Sequence, residues 1–143
     1  MGGQSLYIAN NEKLTDVSGL GSLTSVDGNL FITSNQALRD ISGLENLTDV
    51  GEDVSIQNNT ALTDISGLES LTSVGGALYI GDNVSLTDIS GLAILTAVGA
   101  ALSIYHTVAL THTSGPACLS SVGASLDLFC TSPPLSSLVF VFP

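Results

Sequence analysis

Residues 54–101 read VSIQNNTALTDISGLESLTSVGGA and then LYIGDNVSLTDISGLAILTAVGAA, two copies of one 24-residue unit joined without insertion or deletion. The unit runs back through LFITSNQALRDISGLENLTDVGED from Leu30 to LYIANNEKLTDVSGLGSLTSVDGN from Leu6. It runs forward into a worn fifth copy from Leu102 and a sixth that begins at Leu126 and collapses after Cys130. A fixed period of this length describes a solenoid, because one unit can bury its apolar face only against its neighbours.

The consensus LxIxxNxxLTDISGLxxLTxVGxx, counted from Leu6, Leu30, Val54, Leu78 and Leu102, alternates apolar and variable residues at its start, as a strand does. Two further apolar pairs follow at positions 9 and 12 (Leu62, Ile65) and at 18 and 21 (Leu71, Val74). Glycines at positions 14 and 22 mark corners that need either a positive φ or close backbone approach. The expected fold is therefore all-β: a right-handed, parallel β-helix-like solenoid of leucine-rich repeats with about five to six coils and three extended segments per coil. About seven aliphatic side chains per turn point inward, and strand spacing makes the rod roughly 25–30 Å long. The array is read over residues 6–128, with 129–143 as its degenerate end.

Composition narrows function by exclusion. Charged residues are 10% of the 143, and thirteen acids face only Lys13 and Arg39, for a formal charge of −11. Nothing here neutralises a phosphate backbone, so nucleic acid is excluded as a partner. No apolar run reaches bilayer-spanning length, and MGGQSLYI has neither the basic nor the apolar region of a signal peptide. Since the repeat starts close to Met1 and ends without a polar cap, the chain is expected to be a piece of a longer repeat protein.

The string LTSVGGALYIGDNVSLTDISGL, residues 71–92, resembles the receptor L-domain family, a leucine-rich-repeat-like β-helix, and also the L-domain arrays of fungal GPI-anchored cell-wall and other microbial surface proteins. The resemblance rests on LxIxxN, the SGL corner and LTxVGG, and covers about Leu6 to Leu128. It implies an extracellular or cell-surface module for recognition or structure, adjoining further repeats, and carries no catalytic residues. The receptors' cysteine-rich module has no counterpart here, so hormone binding is not implied. Ordinary leucine-rich repeats place a helix or 3₁₀ turn on the far side, and SGLESL could make one with Ser66 as N-cap. Two glycine corners in 24 residues favour strands instead.

Several columns are candidates for chemistry. Asn11, Asn35, Asn59 and Asn83 form an internal ladder expected to satisfy corner backbone above and below, so Asn59→Ala should cost about 1–3 kcal/mol. Asp16, Asp40, Asp64 and Asp88 stack at strand spacing; Asx-type turns before SGL are expected in preference to a shared calcium ion. The Thr columns after positions 9 and 18 offer one Thr per strand, which makes an ice-binding or cation-organising surface the alternative function. Tyr7, Phe31, Tyr79 and Tyr105 hold outward positions on the first strand and are the expected platform for a protein or glycan ligand. Of the sequons at Asn46, Asn58 and Asn83, Asn46 is the expected glycosylation acceptor. Cys118 and Cys130 lie half a turn apart and are expected as free, partly buried thiols, while His106 and His112 lack the convergent partners of a zinc site. No catalytic constellation, cofactor motif or metal motif is present, so no enzyme is expected.

Overall fold

The structure, a computed structural model, describes residues 3–111 and 115–129, with 128 and 129 in backbone only. Each 24-residue unit is one coil of an all-β solenoid of about five turns. The four-residue strands β1 (Leu6–Ala9), β3 (Leu30–Thr33), β5 (Val54–Gln57), β7 (Leu78–Gly81), β9 (Leu102–Tyr105) and β11 (Leu126–Phe129) form one parallel sheet in that order. Two-residue strands β2 (Ser25–Val26), β4 (Asp49–Val50), β6 (Ser73–Val74), β8 (Ala97–Val98) and β10 (Ser121–Val122) form a second. Register follows the sequence period without a slip: Ile8 pairs with Ile32, Ile32 with Ile56, Ile56 with Ile80, and Ile80 with Ile104.

Alternation turns the apolar residues of each coil into one wall of the core. In the coil from Val54, seven side chains (Val54, Ile56, Leu62, Ile65, Leu68, Leu71 and Val74) are at most 1% exposed. β-Branched and leucine residues suit this arrangement, since a parallel sheet between corners is packed on its inner face along its whole length. Pro116 holds the place of the corner leucine in the fifth coil and is buried there.

The third side of each coil departs from the strand expectation. SGL forms a 3₁₀ turn at Ser18–Leu20, Ser42–Leu44, Ser66–Leu68 and Ser90–Leu92. Three residues suffice for such a turn, so the short coil accommodates it. Ser66 is not its N-cap: Ile65 precedes the turn without a side-chain cap, and Ser66 is the first residue inside. The segment before the turn is extended and bonded to its neighbours, as in Thr63 N–H to Arg39 C=O (3.1 Å) and Thr87 N–H to Thr63 C=O (2.9 Å).

The corner glycines answer one of their two expected needs. No glycine among the described residues has positive φ. A Cβ on Gly67 would instead collide with the carbonyl oxygen of Ile41 in the coil below, and one on Gly91 with that of Ile65. Close stacking, not backbone handedness, demands glycine here. The left-handed conformation sits where the coil leaves its first strand, at Asn10, Ser34, Asn58, Asp82 and His106, with φ between 50° and 59°. Asn and Asp tolerate that region best among residues with a side chain.

Candidate functional site

Side chains at positions 2 and 4 of each coil face outward from the six-stranded sheet. The first column holds Tyr7, Phe31, Ser55, Tyr79, Ser103 and Asp127; the second holds Ala9, Thr33, Gln57, Gly81 and Tyr105. The four aromatic residues therefore do not form one stripe. Tyr7 and Phe31 meet edge to face with ring centroids 5.1 Å apart, and Tyr7 is 61% exposed. Tyr79 and Tyr105 stand on neighbouring rungs in different columns, separated from the first pair by the rung of Ser55 and Gln57. Tyr105 leans back over Gly81, where a Cβ would strike its ring. An aromatic ring covering a strand glycine is a known way to restore packing lost with the side chain.

Beside this second pair, Asp82 Oδ1 lies 2.8 Å from His106 Nδ1, both residues being solvent-accessible. A carboxylate can only accept, so the imidazole Nδ1–H donates. The His106 ring also meets the Tyr105 ring edge to face at 5.6 Å. The Tyr105 phenol is pushed above its ordinary value by burial first, then by the charges of Asp82 and Tyr79. His112 and Cys130 lie outside the described residues.

The asparagine column is hydrogen-bonded inside the solenoid, and the backbone partners of Asn35, Asn59 and Asn83 lie in the preceding coil. Asn59 Oδ1 accepts from the backbone N–H of Asn35 (3.0 Å) and from its Nδ2 (3.3 Å), while Asn59 Nδ2 donates to Ile32 C=O (2.9 Å). Asn83 repeats this one coil on, accepting from Asn59 N–H (2.9 Å) and donating to Ile56 C=O (2.8 Å). Each of these side chains serves backbone of the preceding coil, and two also donate to the next asparagine up the column, Asn11 Nδ2 to Asn35 Oδ1 (3.1 Å) and Asn35 Nδ2 to Asn59 Oδ1 (3.3 Å). Asn35, Asn59 and Asn83 are fully buried, whereas Asn11 is exposed. A second ladder, not anticipated, runs the opposite way. Asn29 N–H donates to Ser5 Oγ (2.9 Å), Asp53 N–H to Asn29 Oδ1 (3.0 Å) and Ala77 N–H to Asp53 Oδ1 (2.8 Å).

The aspartate column forms Asx-type turns leading into the 3₁₀ turns. Asp64 Oδ1 accepts from Ser66 N–H (3.1 Å) and Ser66 Oγ–H (2.6 Å), with equivalent bonds from Asp16 to Ser18 and Asp40 to Ser42. The Ser18 hydroxyl, then its backbone N–H, holds the Asp16 carboxyl below its ordinary value. Ser73 and then Thr48 do the same for Asp49. Among the described residues, no three His, Cys, Asp or Glu side chains converge as metal ligands. The Thr hydroxyls point back to backbone: Thr48 to Thr24 C=O (3.1 Å), Thr72 to Thr48 C=O (3.1 Å) and Thr96 to Thr72 C=O (2.9 Å).

Asn46 is exposed and its Nδ2 donates to Gly21 C=O (2.8 Å); Asn58 is exposed, and Asn83 is sealed in the core. Cys118 is a free thiol, exposed instead of partly buried, and Cys130 lies outside the described residues. No helix among them is long and apolar enough to cross a membrane.

The whole is a parallel β-solenoid repeat module whose Thr, Asn and Asp columns bond within the chain and whose outer sheet face carries Tyr7, Phe31, Tyr79 and Tyr105. The family model described as Receptor L domain matches residues 22–91, so this stretch carries the receptor L domain repeat, a family of non-catalytic, receptor-type ligand-binding modules. Neither a curated protein nor a solved structure matches the chain.

Proposed function

We propose that this chain is a non-catalytic recognition module of an extracellular or cell-surface protein, adjoining further repeats, that binds a protein ligand on the outer face of its six-stranded sheet. One observation carries the reading. The Thr, Asn and Asp columns are committed to hydrogen bonds within the chain, while Tyr79 and Tyr105 present ring surface outward with no element over them among the described residues. Aromatic rings supply large contact area at low entropy cost and dominate binding hot spots. The family's description as a receptor domain supports a protein over a glycan ligand. Asn46, exposed beside a corner, is the candidate glycosylation acceptor.

An ice-binding or cation-organising surface gains no support, since the Thr hydroxyls donate to carbonyls of the coil beneath. The test is a screen of protein and glycan arrays, repeated with two variants. Tyr79→Ala is expected to weaken the captured ligand by about 2 kcal/mol, roughly thirtyfold in Kd, and Thr72→Ala to leave it unchanged. Equal binding by both variants, or thermal hysteresis with ice shaping that Thr72→Ala abolishes, contradicts the reading.

A further inference from the structure

We propose that the upper part of this face is a subsite for a cationic side chain, arginine in preference to lysine, on a basic segment of the protein ligand. The inference rests on the recognition role just proposed and adds the ligand's chemistry. Three features meet there. The Tyr105 ring lies over Gly81 with its other face outward, and Tyr79 stands one rung below in the adjacent column. Asp82 follows Gly81 directly, and its Oδ1 is fixed by His106 while its second oxygen stays open. Asp127 stands two rungs above Tyr79, roughly 10 Å away on ordinary strand spacing, with Ser103 between them.

A ring face flanked by carboxylates matches a guanidinium, which stacks flat on an aromatic face and bonds carboxylate oxygens through its planar fork. An ammonium satisfies the charge but not the stacking. Lys13 and Arg39, the chain's only strongly basic residues, lie in the first two coils, and these residues lie in the last three. By donating Nδ1–H to Asp82, the His106 imidazole acts as a positioning residue for that carboxylate. The long-range field agrees in sign, because a formal charge of −11 draws basic segments toward the surface before contact.

The experiment titrates the full chain with acetylated, amidated hexa-arginine, hexalysine and hexaglutamine peptides by isothermal calorimetry. It is repeated with Asp82→Asn, Tyr105→Ala and, as a charge control on another side of the coil, Glu69→Gln. Asn tolerates the left-handed backbone at position 82, so Asp82→Asn keeps the test valid even where Tyr105→Ala disturbs the sheet. Expected are binding of hexa-arginine above hexalysine, none of hexaglutamine, and a loss of about threefold to fivefold for Asp82→Asn and Tyr105→Ala. Glu69→Gln should change the affinity less than twofold. Equal losses for Asp82→Asn and Glu69→Gln mean diffuse attraction and overturn the subsite, as does failure of hexa-arginine to bind. A protein ligand lost with Tyr79→Ala but indifferent to Asp82→Asn also overturns it, while leaving the broader recognition role standing.

Discussion

Gly67→Ala is expected to destabilise the protein by about 3 kcal/mol or more, a large effect for a single added methyl group. The methyl carbon would occupy the space of the Ile41 carbonyl oxygen and approach Ser42 N in the same coil. Backbone cannot swing aside as a side-chain tip does, so the two coils must separate, and every ladder bond between them lengthens. Because contacts in such an array run only between neighbours, weakening one interface also divides cooperativity. Urea unfolding should show a lower midpoint and a broadened or two-step transition. Gly19→Ala is the matched control. It occupies the same repeat position with nothing within 4 Å, and its expected change is within about 0.5 kcal/mol. Equal behaviour of the two variants would refute the close-stacking explanation of this corner.

Asn59→Ala is expected to cost about 3 kcal/mol, at the upper end of what sequence alone implies. The variant strips the acceptor from the Asn35 backbone N–H and the donor from the Ile32 carbonyl, both inside the core. A buried backbone group left unpaired costs about 1–3 kcal/mol. Asn35 Nδ2 also loses a bond but keeps the carbonyl of Ile8 (2.8 Å), which limits the total. Asn11→Ala tests the mechanism, since that side chain is exposed and water replaces its partners; a change within about 1 kcal/mol is expected. Thermal or urea denaturation of the two variants distinguishes a buried ladder from a generic polar surface.

Much of the fold was legible because its cause is periodic. The columns headed by Leu30 and Ile32 recur with each coil, and recurrence at a fixed spacing admits few alternatives to stacking. Two glycine corners make the SGL segment read as too short for helical structure, but a 3₁₀ turn needs only three residues, and Asp64 accepts from the N–H of its first residue, Ser66. The left-handed column went unread because Asn10, Ser34, Asn58, Asp82 and His106 share no single chemistry. Their common property is a polar side chain at the exit of a strand, a weak signal in one coil and a stronger one in five. The ladder of Ser5, Asn29 and Asp53 fell below notice for a related reason, since it spans only three coils and changes residue at each. The aromatic face was only partly legible. Alternation shows that Tyr79 and Tyr105 both point outward, but not that a ring from one column covers a glycine in the other, nor that Asp82 and His106 pair beside it.

Stacking in register at 24-residue intervals is the claim on which the rest stands, and the isoleucines of the first strands report on it directly. Ile32, Ile56, Ile80 and Ile104 occupy one buried column, each paired in register with the next. With isoleucine δ-methyl groups labelled, nuclear Overhauser spectra should connect Ile32 to Ile56, Ile56 to Ile80 and Ile80 to Ile104. Ile32 and Ile80, two rungs and roughly 10 Å apart, should give a far weaker signal or none. Absence of the three nearest-neighbour connections, or a strong Ile32–Ile80 contact, would contradict the solenoid and with it the outward face on which recognition is placed.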